Sequence, residues 1–123
     1  MLSLPRKYLT MEIKFEVFFL EEAIDFMNDL DAKSRKKIYY TIDKAKFKND
    51  PKLFEKLDGE IWYFRTNFLK LQYRVFAFWD KTSKIDTLVI ATHGIIKKTQ
   101  KTPKSEIAKA ERIRKEYFEN KNL

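Results

Sequence analysis

Three strand-like stretches follow one another in the second half of the chain: "EIWYFRTNF", "KLQYRVFAFW" and "IDTLVIATH". Each is rich in aromatic and β-branched residues, which fit the pleated, half-buried surface of a sheet. Strands joined by short polar connections such as "DKTSKID" (80 to 86) can pair only with their neighbours, and therefore antiparallel. The expected centre is an antiparallel meander, and an apolar sheet face needs helices to cover it.

The flanks supply them. "EIKFEVFF" (12 to 19) is short and aromatic enough for one more strand. The period then changes, because Leu20, Ala23, Ile24, Met27 and Leu30 recur at helical spacing in "LEEAIDFMNDL". A second helix over "DAKSRKKIYYTIDKAKFKND" presents Ile38, Ile42 and Ala45 on one face, with Asp31 as its cap and Asn49-Asp50-Pro51 as its stop. Asp58-Gly59 marks a turn. At the far end, Thr102 is placed to cap a last helix that begins at Pro103 and aligns Ile107, Ala110, Ile113 and Tyr117. The order β-α-α-β-β-β-α predicts an α+β domain with helices packed on one curved sheet.

Charge is divided unevenly. Residues 1 to 60 hold 12 Lys+Arg and 12 Asp+Glu, whereas residues 61 to 123 hold 14 and 6, so the whole net charge of +8 lies in the second half. A localised positive field attracts polyanions by releasing their counterions, which makes nucleic acid the leading class of partner. The competing account is that the lysines keep a small domain soluble. The chain has no cysteine, which excludes thiolate catalysis and disulfides. No apolar run approaches a membrane span and "MLSLPRKYLT" lacks a signal's apolar middle, so the expected location is the cytoplasm.

Arg65 and Arg74 lie in adjacent expected strands, each among aromatic residues. A guanidinium in apolar surroundings is costly without an anionic partner. For either arginine alone, a structural ion pair to Asp58, Glu60 or Asp86 explains it equally well. His93, the chain's single histidine, ends the next expected strand and can share a sheet with both. Imidazole exchanges protons near neutrality, although a lone histidine is commonly structural. Lys97, Lys98, Lys101 and Lys104 follow with no carboxylate between Asp86 and Glu106. Cations there oppose the dipole of the final helix, which a bound anion relieves. The tyrosines, tryptophans and phenylalanines of the strands alternate as core residues do.

Two strand arginines, a histidine and a lysine segment meet the needs of RNA cleavage by internal transfer. There the ribose 2′-OH attacks the adjacent phosphorus, fixed cations stabilise the charge that gathers on the phosphoryl oxygens, and a proton-transfer group serves nucleophile or leaving group. A two-metal reaction needs clustered carboxylates, yet only Asp80 and Asp86 occur between Ile61 and Ser105. A two-metal site is therefore not expected, and no cofactor is called for. No serine sits on a strand-to-helix elbow, and the two glycines, Gly59 and Gly94, make no nucleotide-binding loop.

"GEIWYFRTNF", "QYRVFAFW" and "HGIIKKTQKTPKSEIAKAERIRKEY" together resemble the RelE/HigB superfamily of bacterial toxins, in its phage-derived HigB-like branch. The likeness covers roughly residues 11 to 120, taken as one domain after an extension at 1 to 10, with the last string the most specific part. It implies a RelE-like, microbial-ribonuclease-like fold and the toxin of a type II toxin–antitoxin system, a metal-independent endoribonuclease that cuts mRNA on the ribosome. A cognate antitoxin, expected to be a helix-turn-helix protein, is the implied inhibitor. Carried over, Arg74 steadies the scissile phosphate, Arg65 takes the preceding arginine position, and His93, Lys97 and Lys98 fall in the segment that borders the RNA; Lys97, Lys98 and Lys101 are expected to grip its backbone. Two departures stand out: Trp62-Tyr63-Phe64 replaces lysines that some relatives place before Arg65, and "NFLKLQ" lacks the usual turn glycines. Two alternatives stay open, a non-catalytic basic module for nucleic acid or an acidic protein, and a gyrase-poisoning relative of the same fold.

Overall fold

The aromatic stretches form the middle of a five-stranded sheet in the computed structural model, which describes residues 13–82, 88–97 and 101–121. The strands are β1 (Glu16–Phe19), β2 (Phe54–Asp58), β3 (Ile61–Phe68), β4 (Leu71–Asp80) and β5 (Leu88–Lys97). The helices are α1 (Glu21–Asp29) and α2 (Ala32–Phe47) between β1 and β2, and α3 (Lys104–Lys121) at the end. The α+β class holds, and β2 to β5 pair antiparallel as consecutive neighbours.

Three details depart from the expected meander. The sheet is mixed, because β1 runs parallel to β5 on the edge opposite β2, giving the order β1-β5-β4-β3-β2. Helix α1 folds back over β5, so the strand leading into it settles on that free edge. Secondly, the stretch read only as a turn at Asp58-Gly59 contains a strand, β2, hairpinned to β3 with Gly59 at φ +54°. Thirdly, β5 continues past His93 to Lys97, which puts the histidine inside the strand.

The two helices of the hairpin are stitched together by polar groups. Asp31 caps α2 by accepting from the Ser34 N–H at 3.3 Å. Arg35 donates to the carbonyls of Met27 and Leu30 at 2.9 and 2.7 Å, satisfying the otherwise open C-terminal end of α1. This layer buries one core against the sheet, built from Ala23, Met27, Ile38, Ile42, Phe64 and Val75. The opposite sheet face buries a second core of Ile61, Tyr63, Phe76, Phe78 and Ile90 under α3. Phe76 and Phe78 are fully buried, each contributing about 1.5–3 kcal/mol by transfer from water.

Ala110 is the one fully buried residue of α3, while its partly buried Ile107, Tyr117 and Phe118 pack on the second core and polar contacts add to the hold. At its C-terminal end, the buried Asp80 carboxylate accepts from Tyr117 Oη at 2.5 Å and Lys121 Nζ at 2.6 Å. Thr82 adds its N–H and hydroxyl to the same carboxylate. Burial alone raises the pKa of Asp80, but the hydrogen bonds from Lys121, Tyr117 and Thr82 outweigh it and hold the carboxyl well below the usual range. Burial and the Asp80 charge push the Tyr117 phenol up.

Candidate functional site

Side chains directly opposite on an antiparallel ladder point to the same face, so the register alone assembles the site. Glu55 faces Tyr63, Arg65 faces Arg74, and Gln72 faces Lys97. Tyr63 and Arg65 are two apart on β3, as are Gln72 and Arg74 on β4, which puts all six on the α3 side of the sheet. A bulge completes the set. Phe76 pairs with His93 but Ala77 pairs with Ala91, leaving Thr92 as an extra residue. The extra residue switches the alternation of β5, so His93, Ile95 and Lys97 look toward α3 while Gly94 meets Phe26 of α1 on the other face.

Arg65 bonds to Glu55 Oε1 at 2.5 Å and to the Tyr63 hydroxyl, and that hydroxyl donates to the same Glu55 oxygen at 2.7 Å. Among the described residues, Arg65 pairs with Glu55, on the unforeseen strand, and not with Asp58 or Glu60. Arg74 is only 2% exposed, and donates to the Thr102 hydroxyl and to Gln72 Oε1 at 3.1 Å. Its guanidinium also lies 4.9 Å from the centroid of the Tyr63 ring, with that of Arg65 at 5.2 Å from the same ring. Thr102 therefore serves Arg74, and α3 begins at Lys104, one residue beyond the expected start.

Lys97 is 6% exposed, and its Nζ has no hydrogen-bond partner among the described residues. Burial and the neighbouring Arg74 charge both lower its pKa. A buried, unpaired ammonium beside a guanidinium is a site that an anion would stabilise. Lys101 is exposed, one residue before Thr102. Lys98 and Asp86 lie outside the described residues.

His93 is in the next row of the sheet, stacked on Phe76 with 4.7 Å between ring centroids. It is 3% exposed, and both ring nitrogens are engaged: Nδ1 with Thr92 Oγ1 at 2.9 Å, Nε2 with Glu106 Oε2 at 3.3 Å. An ionised carboxylate only accepts, so the neutral ring donates from Nε2 to Glu106 and accepts at Nδ1 from Thr92. Burial, aided by the Lys109 charge, lowers its pKa against the pull of Glu106 and Glu22. The structure thus joins Arg65, Arg74 and Lys97 in one cationic bay and places His93 beside it, covered by α3. Sequence reasoning missed Glu55 and Tyr63. The signal was present, since Asp58-Gly59 between "LFEKL" and "EIWYF" is a hairpin signature that makes a strand of both arms.

The family described as Phage derived protein Gp49-like (DUF891) matches residues 25–115, more than half of the chain. The chain is a member of this Gp49-like family. The Gp49-like proteins are a RelE/HigB-like family of toxins, and the matched segment of this Gp49-like chain contains every residue of the bay, from Glu55 to Thr102. No curated protein matches the sequence significantly. No helix among the described residues of the Gp49-like chain is long and apolar enough to cross a membrane.

Proposed function

We propose that this Gp49-like chain is the toxin of a type II toxin–antitoxin pair, of the HigB-like kind, and acts as a ribosome-dependent endoribonuclease on mRNA. The observation that carries this reading is the convergence of Arg65, Arg74 and Lys97 with the Glu55–Tyr63 pair on one sheet face. Arg74 and Arg65 would hold the scissile phosphate, two planar forks suited to its oxygens, while Lys97, Lys98 and Lys101 would grip the flanking backbone. Incoming phosphate competes with Glu55 for Arg65. The carboxylate so released can take the proton of the 2′-OH as its oxygen bonds to phosphorus; the bond to the 5′ oxygen breaks, and that oxygen leaves protonated. The products are a 2′,3′-cyclic phosphate and a 5′-hydroxyl.

Tyr63, hydrogen-bonded to Glu55, is placed to return the proton. His93 is the second candidate for this transfer, and reaches substrate once Glu106 lets go of Nε2. The cytoplasm is the compartment where mRNA and ribosomes are met, and the inhibiting partner is an antitoxin, expected to be a helix-turn-helix protein. Induced expression followed by primer extension tests the reading. New mRNA 5′ ends inside codons support it; growth arrest without new ends would return the chain to the gyrase-poisoning or purely binding alternatives.

A further inference from the structure

The described residues hold a second concentration of positive charge, on the other side of the sheet from the bay. Helix α2 carries six Lys+Arg and one Asp, and Lys33, Lys36, Lys37, Tyr40 and Lys44 recur at three- and four-residue spacing along its outer face. We propose that this face is a separate RNA-binding surface, which takes the sugar-phosphate backbone of a base-paired RNA.

Among the described residues, none of these four lysines has a carboxylate at ion-pair distance; Asp43, the one acid of the helix, is taken by Lys46 at 3.4 Å. The first turn of α2 has no acidic residue, so Lys33 stands at the positive end of the helix dipole, where the capping Asp31 is spent on the Ser34 N–H. Within the stripe Tyr40 is 57% exposed, and Lys37 Nζ lies 5.2 Å from its ring centroid. An anionic partner would relieve the field, and the Tyr40 hydroxyl adds a donor for a phosphate or ribose oxygen.

The chemistry favours RNA over an acidic protein. Stable protein interfaces deplete lysine and gather apolar side chains at the centre, whereas here Tyr40, with Tyr39 at its flank engaged by Phe19, stands among four ammonium groups. Lysines meet phosphate as point charges without reading bases, and the one arginine of α2 is spent on the α1 carbonyls. A duplex is the better shape match. The stripe is straight and convex, about 17 Å from Lys33 to Lys44 at helical rise, and resembles neither the groove nor the stacking platform that single strands need. Because α2 packs on the face of the sheet opposite Arg65 and Arg74, both surfaces can be occupied together.

The test is fluorescence anisotropy with a labelled blunt RNA duplex of about 16 base pairs, titrated over a range of salt. Replacing Lys33, Lys36, Lys37 and Lys44 together by alanine favours the helix, and circular dichroism verifies that it persists. The variant should bind at least about 10-fold more weakly, with a salt slope lower by about one for each phosphate no longer neutralised. Four arginines in place of the lysines should restore binding, and Arg74→Ala should leave duplex affinity within about twofold, even if it abolishes mRNA cleavage. Unchanged affinity and slope in the alanine variant would overturn the proposal. So would tighter wild-type binding to a poly-glutamate peptide, which assigns the face to an acidic protein, or a change of solution mass in the variant, which assigns it to a second copy of the chain.

Discussion

Arg65 and Arg74 are direct cross-strand partners on β3 and β4, two like charges held on one face of the sheet. Such a pairing is unfavourable in itself and survives here through Glu55, Tyr63 and Thr102. If the pair exists to hold phosphate, Arg74→Ala should reduce codon-internal cleavage by about 100-fold or more, with Arg74→Lys intermediate because it keeps charge but not the fork. Primer extension on induced cells measures this. Equal cleavage by Arg74→Ala and wild type would remove Arg74 from the site.

Glu55 and Tyr63 separate the two routes for the proton. Glu55→Gln should lower the single-turnover rate by about 10²–10⁴-fold. The change in stability should stay within about 1 kcal/mol, since the Glu55–Arg65 pair is partly exposed. Tyr63→Phe should act in the same direction more weakly. A His93→Gln variant that loses more activity than Glu55→Gln would transfer the role to the histidine.

Acid should weaken the fold through His93. Its folded pKa lies below the ordinary imidazole value, so its contribution is complete above about 6.5 and is lost as pH falls through the lowered folded value. Between the two values the unfolded chain binds more protons, and stability rises with pH. Urea unfolding from pH 7.5 down to about 5 should show this decline, flatter in His93→Gln. Asp80 is depressed too, but its loss begins only below the ordinary carboxylate value, so the two effects separate on the pH axis. An equally steep decline in both proteins would assign it to other groups.

The close packing of α1 on β5 predicts a coupled pair. A Cβ on Gly94 would stand 2.3 Å from Phe26 Cδ2, so Gly94→Ala forces the ring aside. The expected cost is about 1–3 kcal/mol by denaturant unfolding. Phe26→Leu in the same chain should recover part of it, a coupling of at least about 0.5 kcal/mol. Strict additivity would mean that strand and helix separate elsewhere.

The class of fold, the helical hairpin and the adjacent strands of the two arginines were legible because period and turn chemistry are local. Asp31 does cap α2, and α2 does stop before Asn49-Asp50-Pro51. What escaped depends on pairing between distant segments. Nothing near residues 12 to 19 announces a parallel partner at Leu88–Lys97, and nothing at Thr92 announces the bulge that turns Lys97 inward. Lys97 reads as one more solvated lysine until β5 carries it beneath α3 and beside Arg74. Glu55 was within reach, but three charges in the five residues Phe54–Asp58 masked the strand.

The link between β3 and β4 consists of Leu69 and Lys70, both at positive φ, 50° and 67°. Most side chains resist that region, yet a two-residue connection following the sheet's twist requires it at both positions. The connection therefore works as a ruler. Many residues can occupy it at some cost in strain, but adding or removing one would slide β4 by a step and turn one guanidinium of the bay to the opposite face of the sheet. The length of this loop, more than the identity of its residues, thereby decides whether the two guanidiniums share a face.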